Sequence, residues 1–146
     1  MLDKVMQGDL FAETGNDTQS KIISEMANNI DNLVDKNELK IKQKVFDMML
    51  YAYPALAQFP KSEKFSLVAD MKRCMNNLLE YIIEADKKYY KKTTLQMIDV
   101  ELEKLKSYVR LSHKLGFLPM KKYEYWSGLL VEIGKMLGGW IKSVKK

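Results

Sequence analysis

Cysteine and histidine are nearly missing from this chain, with one of each in 146 residues. A single Cys74 excludes an intramolecular disulfide, a zinc site built on several thiolates and a Cys-x-x-Cys redox pair, and it fits a reducing compartment. A single His113 excludes a multi-histidine metal site. Three prolines and seven glycines leave few places to turn, which predicts long helices rather than many short strands. No stretch reaches the ~18 consecutive apolar residues of a membrane span. The opening MLDKVMQGDLFAETGNDTQS is polar and acidic, without the apolar segment of a secretory signal. A cytoplasmic protein without membrane attachment is expected.

The residue types that carry catalysis are also scarce. His113 and Lys114 suit a helix end, where cations complement the negative pole, and Cys74 reads as a small packed side chain. The carboxylates Asp99, Glu101 and Glu103 look like a metal cluster only in sequence, because positions two apart do not share a helix face. There is no Glu-x-x-His pair and no phosphate-binding GxxxxGK[ST] loop. The expectation is a protein with no catalytic residues, no metal and no cofactor.

Charge, in contrast, is plentiful and unevenly placed. Positions 1–40 hold 8 acidic and 4 basic side chains, and positions 41–146 hold 11 acidic and 20 basic. The leader is therefore net −4 and the body net +9. A basic body points to a polyanion such as nucleic acid; the plainer alternative is a lysine-rich solvated surface. The run Lys87-Lys88-Tyr89-Tyr90-Lys91-Lys92 sets four lysines around two tyrosines. Lys106, Arg110 and Lys114 recur every four residues, one column on a helix. Lys72-Arg73 adds a further basic pair. Arg73 and Arg110 are the only arginines, and the guanidinium fork suits phosphate better than a point charge does. Tyr89, Tyr90 and Tyr108 are of the type that stacks on unpaired bases, although tyrosines also fill cores and rims.

Apolar spacing organises the rest. Residues 1–40 read as an acidic extension, with a flexible arm to about residue 19 and a weak amphipathic helix over about 20–35. Residues 41–146 carry four stronger segments. The first runs from about Glu38 to Gln58 on Ile41, Val45, Met48, Ala52 and Leu56, with Pro54 inside it. Ser62 is placed to cap the second, from about Glu63 to Lys92, whose stripe is Val68, Met71, Met75, Leu78, Ile82, Ala85 and Tyr89. Thr93 or Thr94 opens the third, with Leu95, Ile98, Leu102, Leu105 and Val109, and Gly116 closes it. Pro119 opens the fourth, on Tyr123, Trp126, Leu130, Ile133, Leu137, Trp140 and Val144. Four such helices on short turns predict an all-α, antiparallel up-down four-helix bundle. The first and last helices carry more apolar surface than one bundle needs. Phe46, Leu50, Tyr53, Leu129, Met136, Trp140 and Ile141 are the candidate interface for self-association; the alternative is a generous core with exposed aromatics. Gly138-Gly139 is read either as a close backbone approach or as the end of the last helix.

The segments LYAYPALAQFPKSEKFSLVADM and VEIGKMLGGWIKS together resemble the Avd family, the accessory variability determinants of diversity-generating retroelements. Those proteins are close to four-helix bundles encoded in 23S rRNA intervening sequences. The resemblance covers about residues 41–144, in order, and leaves residues 1–40 unmatched. It implies a non-catalytic homopentameric barrel that binds the retroelement's reverse transcriptase and its template-repeat RNA or cDNA. It implies support of adenine-directed, mutagenic cDNA synthesis in retrohoming. Basic residues on the third helix matter in that family, and LEKLKSYVRLSHKLG places Lys106 and Arg110 there. The candidate nucleic-acid or reverse-transcriptase contacts are then Lys106, Arg110, Lys114, Lys72, Arg73, Lys87, Lys88, Lys91 and Lys92. Two other readings compete: a stand-alone protein of the intervening-sequence type, and a purely structural oligomer that binds only protein.

Overall fold

A computed structural model describes residues 17–30 and 39–145 of the chain. All regular structure among them is helical. The chain divides into two units, Met1–Glu38 and Leu39–Lys146. In the first, residues 17–30 form helix α1, every residue of it exposed. Its apolar positions Ile22, Ile23, Met26 and Ile30 are all more than half exposed. Helix is already present at Asp17, inside the stretch expected to be a flexible arm. The rest of that arm, residues 1–16, and the expected helix over 31–35 lie outside the described residues.

The second unit is a bundle of four helices: α2 Lys40–Ala57, α3 Leu67–Lys87, α4 Lys92–Lys114 and α5 Met120–Val144. α2 packs on α3 and α5, and α4 packs on α3 and α5. The predicted stripes meet in the centre, where Val45, Met48, Met75, Leu78, Ile98, Leu105, Trp126 and Ile133 are fully buried. On each helix the two named residues stand three or seven positions apart, so one face of each helix leaves water at about 25 cal/mol for each Å² of apolar surface. The helix-pair contacts are specific. Lys44 meets Glu132 at 3.4 Å, while seven residues later Tyr51 packs on Tyr125 with ring centroids 4.6 Å apart. Ser112 Oγ lies 3.4 Å from Met71 Sδ, and Asn77 reaches Glu101 at 3.2 Å.

α2 runs through Pro54. Proline there leaves the Leu50 carbonyl without its usual donor, and both residues are exposed, so the loss falls on the solvent side. The helix ends differ from expectation in four places. α3 begins at Leu67 rather than Glu63, because Lys61–Glu63 form a short 3-10 turn. That turn is held by Glu63 N–H to Pro60 O at 2.9 Å and Ser66 N–H to Glu63 O at 3.2 Å. Buried Phe59, packed on Phe117 at 5.8 Å, pins its start, and Ser62 caps nothing.

α3 ends at Lys87, not Lys92, and Lys88 turns to extended backbone (φ −79°, ψ 146°). The cause is Lys91. Its ammonium donates to the carbonyls of Ala85, Asp86 and Lys88 at 2.6, 3.1 and 2.7 Å, the acceptors that a longer helix would need. Tyr89, expected on the core stripe, is therefore 85% exposed. α4 starts at Lys92 with no side-chain cap, and buried Thr94 instead accepts from Lys88 Nζ at 3.4 Å.

The other end of α4 closes as predicted. Gly116 has φ +83°, its N–H bonds to His113 O at 3.0 Å, and Phe117 N–H bonds to Ser112 O at 2.9 Å. Those paired bonds define a Schellman closure. α5 runs through Gly138-Gly139 to Val144. Packing overrides the glycine penalty of about 1 kcal/mol each, because Leu137 is buried and Trp140 and Ile141 pack on the core beyond the pair. Neither glycine has another atom within 4 Å of the place a Cβ would take.

Candidate nucleic-acid interface

The basic column is where the spacing put it, on α4. Lys106 is half-buried, and Arg110 and Lys114 are exposed. The column lies on the flank that faces α5. A Cβ added at Gly134 of α5 would sit 3.6 Å from both Lys106 Nζ and Leu102 Cδ2, an ordinary contact distance that sets the Lys106 ammonium beside α5. Beside Lys114, His113 Nδ1–H donates to Leu118 O at 2.9 Å and the imidazole lies flat on Tyr123, centroids 4.5 Å apart. His113 thus holds the α4–α5 connector against α5 and fixes the end of the column.

The nine candidate cations divide by what their charge already meets. Lys72 sits over the Tyr53 ring at 4.7 Å, and Arg73 pairs with Asp70 one turn earlier. Lys88 pairs with Glu84 at 2.7 Å, and Lys91 is held by three backbone carbonyls. Exposed pairs such as Arg73–Asp70 are worth well under about 1 kcal/mol and yield readily to another anion. Lys91 is different, since releasing it uncovers the end of α3. The remaining five, Lys87, Lys92, Lys106, Arg110 and Lys114, make no hydrogen bond or ion pair with any described residue. The structure therefore gathers three uncommitted cations along α4 and two more astride the α3–α4 connector. Lys146, the last basic residue of the chain, lies outside the described residues.

The interface candidates separate in a similar way. Phe46, Leu50 and Tyr53 on α2 are exposed, Leu50 at 73%. Leu129, Met136, Trp140 and Ile141 on α5 are half-buried against the core. Three exposed apolar residues on α4, Met97, Val100 and Leu111, and Leu115 just past its end, fall outside the interface expected from sequence. Their spacing of three, eleven and four was readable, but they lie just outside the core stripe.

Sequence reasoning also missed the burial of Glu101. Its side chain is almost wholly buried between α3 and α4, accepting from Asn77 Nδ2 and Lys104 Nζ, each at 3.2 Å. The signal was its place three residues after Ile98 and four before Leu105, on the edge of the stripe. Burial, and then the adjacent Glu101 carboxylate, push the Cys74 thiol up to about 11, which keeps it protonated and a poor nucleophile at neutral pH. Asp99 and Glu103 stay exposed. Among the described residues, no three His, Cys, Asp or Glu side chains gather as a metal site, and no helix is long and apolar enough to cross a membrane.

A family model described as bAvd-like matches residues 39–144. No curated protein matches the chain.

Proposed function

The chain belongs to the bAvd-like family, and from that premise we propose that it is a non-catalytic accessory protein of a diversity-generating retroelement. It binds the element's reverse transcriptase and its template RNA or cDNA, and supports mutagenic, adenine-directed cDNA synthesis in the cytoplasm. Chemistry belongs to the polymerase; this protein supplies position and charge. The working form is a homopentameric ring of antiparallel up-down bundles, in which the exposed face of α2 at Phe46, Leu50 and Tyr53 meets a neighbouring copy.

The observation that carries this reading is the column Lys106, Arg110 and Lys114, whose charges have no partner among the described residues. A lysine-rich surface of no consequence would show its cations scattered or paired off, as Lys104 is with Glu101. A column repeated around a ring concentrates positive potential where a polyanion docks. The test is the double substitution Lys106→Ala/Arg110→Ala, measured for RNA affinity across a salt series and for cDNA yield with the reverse transcriptase. Affinity should fall, and the salt slope should flatten by about 2 for the two phosphate contacts removed, with the thermal midpoint unchanged. Wild-type affinity in the variant would count against the reading.

A further inference from the structure

The α3–α4 connector presents two tyrosines to solvent more fully than any described aromatic except Phe65. Tyr89 and Tyr90 are 85% and 86% exposed, their rings in edge-to-face contact with centroids 4.9 Å apart. The rings have no core to join, yet the backbone that carries them is braced. Lys91 ties the connector to the Ala85 and Asp86 carbonyls of α3 and to the connector's own Lys88 carbonyl, and Lys88 ties it to Glu84 and Thr94. Exposed aromatic surface on a fixed turn is ready for a flat ligand, with little ordering left to do on binding.

The charges around the rings say which ligand. From Lys87 to Lys92 there is no carboxylate, and Lys87 and Lys92, one on each side of the tyrosines, have no partner among the described residues. Aromatic faces between uncommitted cations are the elements with which proteins hold unpaired nucleotides, the rings stacking on bases and the cations meeting phosphates. A duplex offers the phosphates but keeps its base faces closed, so it would use the lysines and leave the rings idle.

We propose that the α3–α4 connector is a contact site for single-stranded nucleic acid, in which Tyr89 and Tyr90 stack on unpaired bases while Lys87 and Lys92 meet the flanking phosphates. The proposal rests on the reading that the protein binds nucleic acid, and it adds a site distinct from the α4 column. Lys92 opens α4 and Lys106 stands fourteen residues further on, roughly 20 Å along the axis. A strand held at both would be gripped by its bases at one point and by its phosphates at the other.

Fluorescence anisotropy of the full chain with a labelled 12-nucleotide oligouridylate and with a 12-base-pair RNA duplex tests it. Tyr89→Ala/Tyr90→Ala should weaken single-strand binding by at least about tenfold, with the salt slope and duplex affinity unchanged. Tyr89→Phe/Tyr90→Phe should bind the single strand as the wild type does, since the ring faces remain. Lys87→Ala/Lys92→Ala should flatten the salt slope for both probes. Undiminished single-strand binding by Tyr89→Ala/Tyr90→Ala, alongside a loss in Lys106→Ala/Arg110→Ala, would overturn the connector site and leave the accessory-protein reading standing. Equal losses on both probes would also overturn it, since stacking on unpaired bases has no claim on the duplex. If the wild type binds neither probe, the connector site and the nucleic-acid part of the proposed function are overturned together.

Discussion

The connectors at the two ends of α4 use similar materials and arrive at opposite results. Each follows a helix that ends in lysine, each is short, and each carries aromatic side chains. At the α4–α5 connector, Gly116 enters the left-handed region and main-chain N–H groups satisfy the last carbonyls of α4. The chain thereby folds back over the core, burying Leu118 and laying Phe117 against Phe59. At the α3–α4 connector there is no glycine, and no described non-glycine residue has positive φ. There the carbonyls of α3 are met by a side chain, Lys91, and the residues between are left outside. In this bundle, main-chain closure goes with an aromatic packed on the core and side-chain closure with two aromatics left in solvent.

The contrast is tested most strongly at Leu118. It is 1% exposed, and its carbonyl also receives the His113 bond. Leu118→Ala removes buried methyl groups beneath a closed turn, which costs about 2–5 kcal/mol in well-packed sites. Urea unfolding should show that loss as a lower midpoint with an unchanged slope. A loss under about 1 kcal/mol, below the range for buried leucine, would mean that the turn is not sealed and that the two connectors are more alike than their burial implies.

Much of this was legible in the residues. The four stripes from Ile41 to Leu137 were readable because burial repeats with the helix period. Gly116 was readable because an L-residue is strained in the left-handed region that this turn requires. The column Lys106, Arg110 and Lys114 was readable for the same reason of spacing. What escaped depends on contacts between residues that no local period links. Lys91 reads as one more lysine in a basic run until its ammonium is seen on the carbonyls of α3. Tyr89 continues the apolar register of α3, so periodicity alone carries the helix past its true end. Glu101 is hidden by its charge, although Asn77 and Lys104 make its burial tolerable. Gly138-Gly139 reads either as a close backbone approach or as a stop, because glycine is small and a poor helix former; no other atom lies near the pair, and the packing of Trp140 and Ile141 shows why α5 continues.

Lys91→Met sharpens the comparison from the other side. Methionine keeps much of the stem and removes the donors, leaving the Ala85, Asp86 and Lys88 carbonyls to water. Bonds to a charged donor are worth about 1.5–3 kcal/mol when buried. These are partly exposed, so the expected destabilisation is about 1 kcal/mol. The more telling readout is local. Amide exchange should quicken in the last turn of α3 and stay unchanged around Gly116, where the main chain does the capping. Uniform quickening throughout the bundle would show that Lys91 contributes to global stability and does not specifically hold this end.

The smallest effect is expected from Tyr89→Ala/Tyr90→Ala, and the smallness is the point. Aromatic residues in a core lose about 3–5 kcal/mol on truncation to alanine; surface substitutions away from special features stay within about 0.5 kcal/mol. With both rings more than four-fifths exposed, removing them takes away their mutual edge contact and little else. The double variant should therefore fall within that narrow surface range of the wild type, in chemical denaturation followed by helix circular dichroism. That near-neutrality would separate two reasons for holding aromatics on a connector. Phe117 and Leu118 hold the fold together, so changing them is felt in stability. Tyr89 and Tyr90 contribute nothing comparable to stability, and their rings are free for binding. A loss in the double variant approaching that of a core aromatic would mean that the tyrosines are packed in solution, and the contrast between the two ends of α4 would disappear with their exposure.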